Sequence, residues 1–164
     1  MFNTILVAVD ASDAAGAALG LARRLAREDA ANLLLVNVVD VSKYLLVCGY
    51  ETPYPVDTIQ VMRDAGADML SDAKTQCEAD GLIAETIAAE GDSCEEILRI
   101  ADDNRVGLIC MGTHGRKGFA HLFIGSVAEG ILRRANVPVI VTRPSQMHAP
   151  TVSRGTTAAV TTAA

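Results

Sequence analysis

The residues best suited to chemistry lie in Met111-Gly112-Thr113-His114-Gly115-Arg116-Lys117-Gly118, with Gly125-Ser126 a little further on. The glycines and serine follow a G-x2-G-x9-G-S spacing. Glycine at 112 and 115 lets backbone N–H groups approach an anion with no Cβ in the way. Gly125 and Ser126 open a helical pattern, and the unbonded N–H groups and dipole of a helix start attract phosphate. The Ser126 hydroxyl can donate to a phosphate oxygen, and Arg116 or Lys117 can add positive charge. The same residues have a structural use: glycines suit a strand-to-helix turn, and Ser126 with Glu129 makes an S-x-x-E capping box. Spacing alone leaves both readings open.

Other phosphate loops do not fit. Walker A requires G-x4-G-K-[ST], and here Gly112 is followed five residues later by Lys117. The dinucleotide fingerprint G-x-G-x-x-G is absent after the first apolar run, which ends Val9-Asp10-Ala11-Ser12. Asp10 can accept hydrogen bonds from a ligand or serve the turn, although Asp13 is better placed for the helix-start role. His114 suits either proton transfer or polar lining.

These residues need elements to position them. Thr4 to Val9, Leu33 to Val39, Val106 to Met111 and Val137 to Thr142 are apolar without alternation, as strands covered on both faces are. Ile83 to Ala89 is a weaker strand, interrupted by Glu85 and Thr86, and suits a place nearer the sheet edge. Helical patterns lie between them. One is capped by Ser12, runs to about Ala30 and turns Leu19, Ala22, Leu25 and Ala26 to one side. A longer one runs from Thr58 to about Asp80 with Val61, Met62, Ala65, Met69, Leu70 and Ala73. A third starts at Asp92 or Ser93 with Ile97, Leu98 and Ile100, and a fourth at Ser126 with Val127, Ile131 and Leu132. The order β-α-β-α-β-α-β-α-β predicts one doubly wound α/β domain, a parallel sheet with helices on both faces. Ligands of such sheets bind beyond the carboxyl ends of the strands, where strand order reverses. That directs attention to Asp10, Val39, Asp40 and the chain from Gly112. Two stretches fall outside the alternation: the long connection from Asp40 to Asp57, of a length that is usually functional or disordered, and the Ala/Thr/Ser/Pro-rich segment 144–164, expected to be a disordered tail.

Bulk properties set limits. The chain has 164 residues, half of them hydrophobic, with no Trp, so the core is aliphatic and aromatic stacking surfaces for a ligand are few. The formal net charge of −6 argues against general affinity for nucleic acid or anionic membranes. Cys48, Cys77, Cys94 and Cys110 form no C-x-x-C pair, which points away from zinc and redox motifs, and Cys110 reads as a small core residue. No apolar stretch approaches the ~20 residues that span a bilayer, and no secretory signal opens the chain, so the cytoplasm is the expected location.

Taken together, Ile5-Leu6-Val7-Ala8-Val9-Asp10-Ala11-Ser12, Met111-Gly112-Thr113-His114-Gly115, Gly125-Ser126-Val127-Ala128-Glu129 and Val137-Pro138-Val139-Ile140-Val141 resemble the universal stress protein family. The resemblance covers residues 1–143, and its G-x2-G-x9-G-[ST] motif marks the members that bind ATP. It implies a flavodoxin- or Rossmann-like five-stranded parallel sheet of order 3-2-1-4-5 that binds ATP, with Mg2+. Asp10 then corresponds to the carboxylate on the ribose hydroxyls. Ala8 and Val38 match the adenine pocket, Val38 through its backbone, and some relatives have Pro at the place of Ala8. Met111, Gly112, Gly115, Gly125, Ser126 and Val127 match the phosphate-loop positions, with Arg116 beside them. A homodimer through the edge strand 137–142, stress-related regulation and a regulatory protein partner are implied as well.

Four other readings compete with this one. A receiver domain requires an acidic pair after the first strand and a lysine after the fifth; this chain has Asp10 alone and Thr142-Arg143-Pro144. A flavodoxin requires a hydroxyl-rich loop where Ala11-Ser12-Asp13-Ala14 stands. Slow ATP hydrolysis or autophosphorylation stays open, with Asp10 and Asp40 as metal holders and Ser126 or Thr113 as acceptors, as does an interaction module whose glycine loop is only structural.

Overall fold

The computed structural model describes residues 2–40, 56–113 and 124–143, without the side chains of 56 and 57. The expected disordered tail at 144–164, most of the 40–57 connection, Cys48, His114, Gly115, Arg116 and Lys117 lie outside them.

Nine elements alternate: β1 (Thr4–Ala8), α1 (Asp13–Asp29), β2 (Asn32–Val39), α2 (Val56–Ala79), β3 (Ala84–Glu90), α3 (Ser93–Asp103), β4 (Leu108–Gly112), α4 (Ser126–Arg134) and β5 (Val139–Thr142). The strands form one parallel sheet in the order β3-β2-β1-β4-β5, as the resemblance implied. Strand order and the right-handed crossover rule put α1 and α2 on one face and α3 and α4 on the other. One core cluster joins Ile5, Val7, Leu33, Leu35, Leu108 and Cys110 to α1 and α2; the other joins Leu6, Leu34, Val36 and Ile109 to α3 and α4. Neighbouring strand residues go to opposite clusters, which is why the apolar runs show no alternation. Cys110 is fully buried, and that burial pushes its thiol up to about 11, consistent with a core residue.

The ends of the elements differ from expectation where local chemistry intervenes. β5 begins at Val139, because Pro138 has no N–H to give the ladder; its carbonyl still accepts from Ile109 N at 3.0 Å. β4 begins at Leu108, and Val106 instead closes the preceding turn on Ala101 O at 3.0 Å. β3 begins at Ala84, leaving the Ile83 side chain 66% exposed while its carbonyl accepts from Leu33 N. Two apolar residues assigned to buried helix faces are also exposed, Val61 at 63% and Leu132 at 44%. Val61 lies a full turn or more before Leu70 and Ala73, where α2 meets the core, and Leu132 follows Ile131, which takes the core-facing position of α4.

Candidate functional site

Strand order reverses between β1 and β4, which run side by side with Val7 level with Cys110. The chains leaving these two strands therefore define the crevice in which α/β sheets hold ligands. Asp10 leaves β1 half-buried, and its Oδ1 accepts the Ser12 N–H at 2.8 Å. The Asp10 carboxylate thus serves the turn as well, while Asp13 takes the expected place in the first turn of α1. Ser12 then caps α1, its hydroxyl accepting from Ala15 N at 3.1 Å, with Asp13 in the first turn.

On the β4 side, Gly112 meets the first turn of α1. A Cβ there would lie 2.8 Å from Ala14 Cβ and 2.9 Å from the Ala15 nitrogen, so packing alone requires glycine. Thr142, level with Gly112 on β5, donates its hydroxyl to Ala14 O at 2.7 Å and reaches Met111 O at 3.3 Å. Thr113 is 7% exposed; its N–H donates to Thr142 O and its carbonyl accepts the Gly125 N–H, both at 2.7 Å. The end of β4 and the start of α4 are thereby joined by one backbone hydrogen bond.

Gly125, in extended conformation, is the N-cap of α4, and its carbonyl accepts from Glu129 N at 2.9 Å. Ser126 is the first helical residue and is exposed, so it does not occupy the capping position that the S-x-x-E reading assigned to it. The Glu129 carboxylate reaches forward to Arg133 at 2.8 Å instead of back to the cap. The helix starts of α1 and α3 differ: Ser12 caps one, and Asp92 caps the other by accepting from Cys94 and Glu95 nitrogens at 3.0 Å. Among the described residues no side chain caps the first N–H groups of α4, which carry the positive end of the helix dipole.

Ala8, Val38, Met111 and Val127 all belong to the apolar cluster on the α3/α4 face. Met111 is buried within it, whereas Ala8, Val38 and Val127 are half-buried. Val38 is level with Ala89 of β3. The structure thus gathers eight of the ten expected site residues at the carboxyl edge of the sheet; Gly115 and Arg116 fall outside the described residues. A shallow groove of about 260 Å³ also touches Asp10, but on the α1/α2 side, walled by Ala11, Ala15, Gly16, Met69 and Asp72. It has no cationic lining residue and two carboxylates, Asp10 and Asp72, which suits a phosphate chain poorly. Among the described residues no group of three or more His, Cys, Asp or Glu side chains could hold a metal ion.

Sequence reasoning missed Thr142 and Asn37, and named Thr113 only as a phosphoryl acceptor. Asn37 is 6% exposed inside the apolar run of β2, and its Nδ2 donates to Val9 O at 2.8 Å, just before Asp10. A lone amide in a run otherwise made of Leu and Val was the available signal. The two threonines lie at strand ends, where a hydroxyl residue carries no comparable signal.

Comparison with known proteins follows the same lines. A sequence profile described as the universal stress protein family matches residues 1–143. The universal stress protein YxiE of Bacillus subtilis is 34% identical over 87% of this chain and 100% of its own. Among solved structures, Methanocaldococcus jannaschii MJ0577 superposes with a TM-score of 0.75 at 28% identity, covering 88% of this chain and 98% of that one. An Archaeoglobus fulgidus universal stress protein solved in complex with dAMP superposes with a TM-score of 0.61 over 87% and 98% of the two chains; at 22% identity that likeness carries the fold alone.

Proposed function

The chain belongs to the universal stress protein family, and from that premise we propose that it is an ATP-binding member acting as a regulatory module in a stress response. The observation that carries the proposal is the start of α4. It is capped by glycine, tied to the end of β4 through Thr113, and set where the strand order reverses. Its uncapped N–H groups favour an anion there. The G-x2-G-x9-G-S spacing, which the resemblance links to ATP, supplies the rest of the loop.

In this reading Gly112, Gly115, Gly125, Ser126 and Val127 cradle the triphosphate through backbone N–H groups and the Ser126 hydroxyl, with Arg116 adding charge. Asp10 keeps one oxygen on Ser12 N and offers the other to the ribose hydroxyls. The half-buried edge made by Ala8 and Val38 receives the base, Val38 through its backbone, and Met111 floors the loop. Mg2+ accompanies the nucleotide and neutralises phosphate charge. Residues 1–143 form the nucleotide-binding domain, and the protein works in the cytoplasm. ATP acts as a ligand that biases one of two surface states toward a protein partner.

The test uses protein purified without added nucleotide and then denatured, with the supernatant resolved by ion exchange. ATP in the supernatant is the expected result. Mainly ADP would favour slow hydrolysis over a binding module. Gly115→Val places a side chain in the phosphate cradle and should abolish ATP binding by calorimetry; unchanged affinity would leave the loop a turn and nothing more.

A further inference from the structure

We infer that Asn37 is the positioning residue of the nucleotide site, holding the exit of β1 so that Asp10 faces the ligand. The inference rests on the ATP-binding reading above. Asn37 sits on the α1/α2 face of β2, away from the α3/α4 cluster that holds Ala8 and Val38, so direct contact with the base is not its role. It is nearly fully buried, and an amide is costly at such a place unless it is hydrogen-bonded. Its Nδ2 donates to Val9 O at 2.8 Å. That carbonyl lies just past the end of β1 at Ala8, where Val9 N has already donated to Val36 O. Both polar groups of Val9 are thus held by β2, one by backbone and one by Asn37. Asp10 is the next residue, and its carboxylate in turn holds Ser12 N.

The opposite side of Asn37 is fitted with equal closeness. A Cβ at Gly66, in the middle of α2, would run into Asn37 Oδ1 and would stand 3.2 Å from Cγ. Glycine inside a helix is unfavourable relative to alanine, and here its missing side chain is what lets α2 lie against the amide. The contacts run Gly66, Asn37, Val9, Asp10, from α2 to the ligand-facing carboxylate. A shift of α2 would therefore be transmitted to Asp10, giving ATP and α2 a route of mutual influence.

The experiment compares wild type, Asn37→Val, Asp10→Ala and the double variant. It uses calorimetric ATP titration together with hydrogen exchange at the Ser12 amide. Asn37→Val should weaken ATP about five- to tenfold, the effect of losing one hydrogen bond's worth of placement, and should speed Ser12 exchange. In the Asp10→Ala background it should weaken ATP no further, because the carboxylate it positions is gone. Gly66→Ala, which pushes on the amide without removing it, should produce the same pair of effects if Asn37→Val folds poorly. Wild-type affinity in both Asn37→Val and Gly66→Ala, or a full additional loss in the double variant, would overturn the inference. A wild-type chain that does not bind ATP would overturn the ligand half along with the function. Ser12 exchange would still decide whether Asn37 and Gly66 place the β1 exit.

Discussion

At residue 112 a methyl group has nowhere to go, because the first turn of α1 already fills the space beyond the Cα. Gly112→Ala should therefore destabilise the fold by about 1–3 kcal/mol, the usual cost of overpacking, measured as a lower denaturation midpoint at unchanged slope. A loss of ATP binding in that variant would say little about phosphate contacts. Ser126 is the cleaner probe. It is exposed and is not the helix cap, so Ser126→Ala should leave stability within about 0.5 kcal/mol while weakening ATP. Equal affinity in the two proteins would remove the serine from the site. At this scale the sequence is only partly readable. Gly112 stood out by its spacing, but its packing against Ala14 depends on how α1 docks, which no local pattern encodes. Asn37 was visible as a lone amide, yet its partner Val9 lies 28 residues away.

Among the elements, α4 starts at a glycine that offers no side-chain cap, and that can be tested by supplying one. Gly125→Asp should stabilise the helix by a few tenths of a kcal/mol, since aspartate accepts from first-turn N–H groups. It should also abolish ATP binding, because the new carboxylate takes those donors and repels phosphate; retained binding would detach the helix start from the ligand. The α1–α2 pairing makes a second prediction. Asp80, just past α2, is held by Arg23 and Arg27 of α1, and the hydrogen bond from Arg23 lowers its pKa below the usual 3.8. A carboxylate with a depressed folded pKa contributes stability that is complete above its unfolded value and is lost as pH falls through the folded one. The melting temperature should drop as pH is lowered below about 4, and Asp80→Asn should flatten part of that drop. A variant with the wild-type slope would show that the cluster does not contribute. The element order was legible because apolar runs and capped helical patterns repeat regularly. The element ends were less so: Pro138, the exposed Ile83 and the position of Ser126 inside the helix depend on hydrogen bonding between segments.

For the molecule as a whole, the strict alternation of strands and helices was enough to predict a doubly wound parallel sheet, and the family resemblance supplied its strand order. The assembly was not readable in the same way. All four residues of β5 are half-buried, although Val139, Ile140 and Val141 are strongly apolar, and β5 pairs on one side with β4 at the sheet edge. We propose that a second copy covers this edge in a two-fold dimer. Light scattering should give twice the chain mass, and a monomer at all concentrations would contradict it. The central claim remains the ATP site at the carboxyl edge of the sheet, and calorimetric titration of nucleotide-free protein with Mg-ATP tests it most directly. One ATP per chain, with binding abolished in Gly115→Val, is the predicted result. No heat of binding in the wild-type protein, together with no nucleotide released on denaturation, would contradict it.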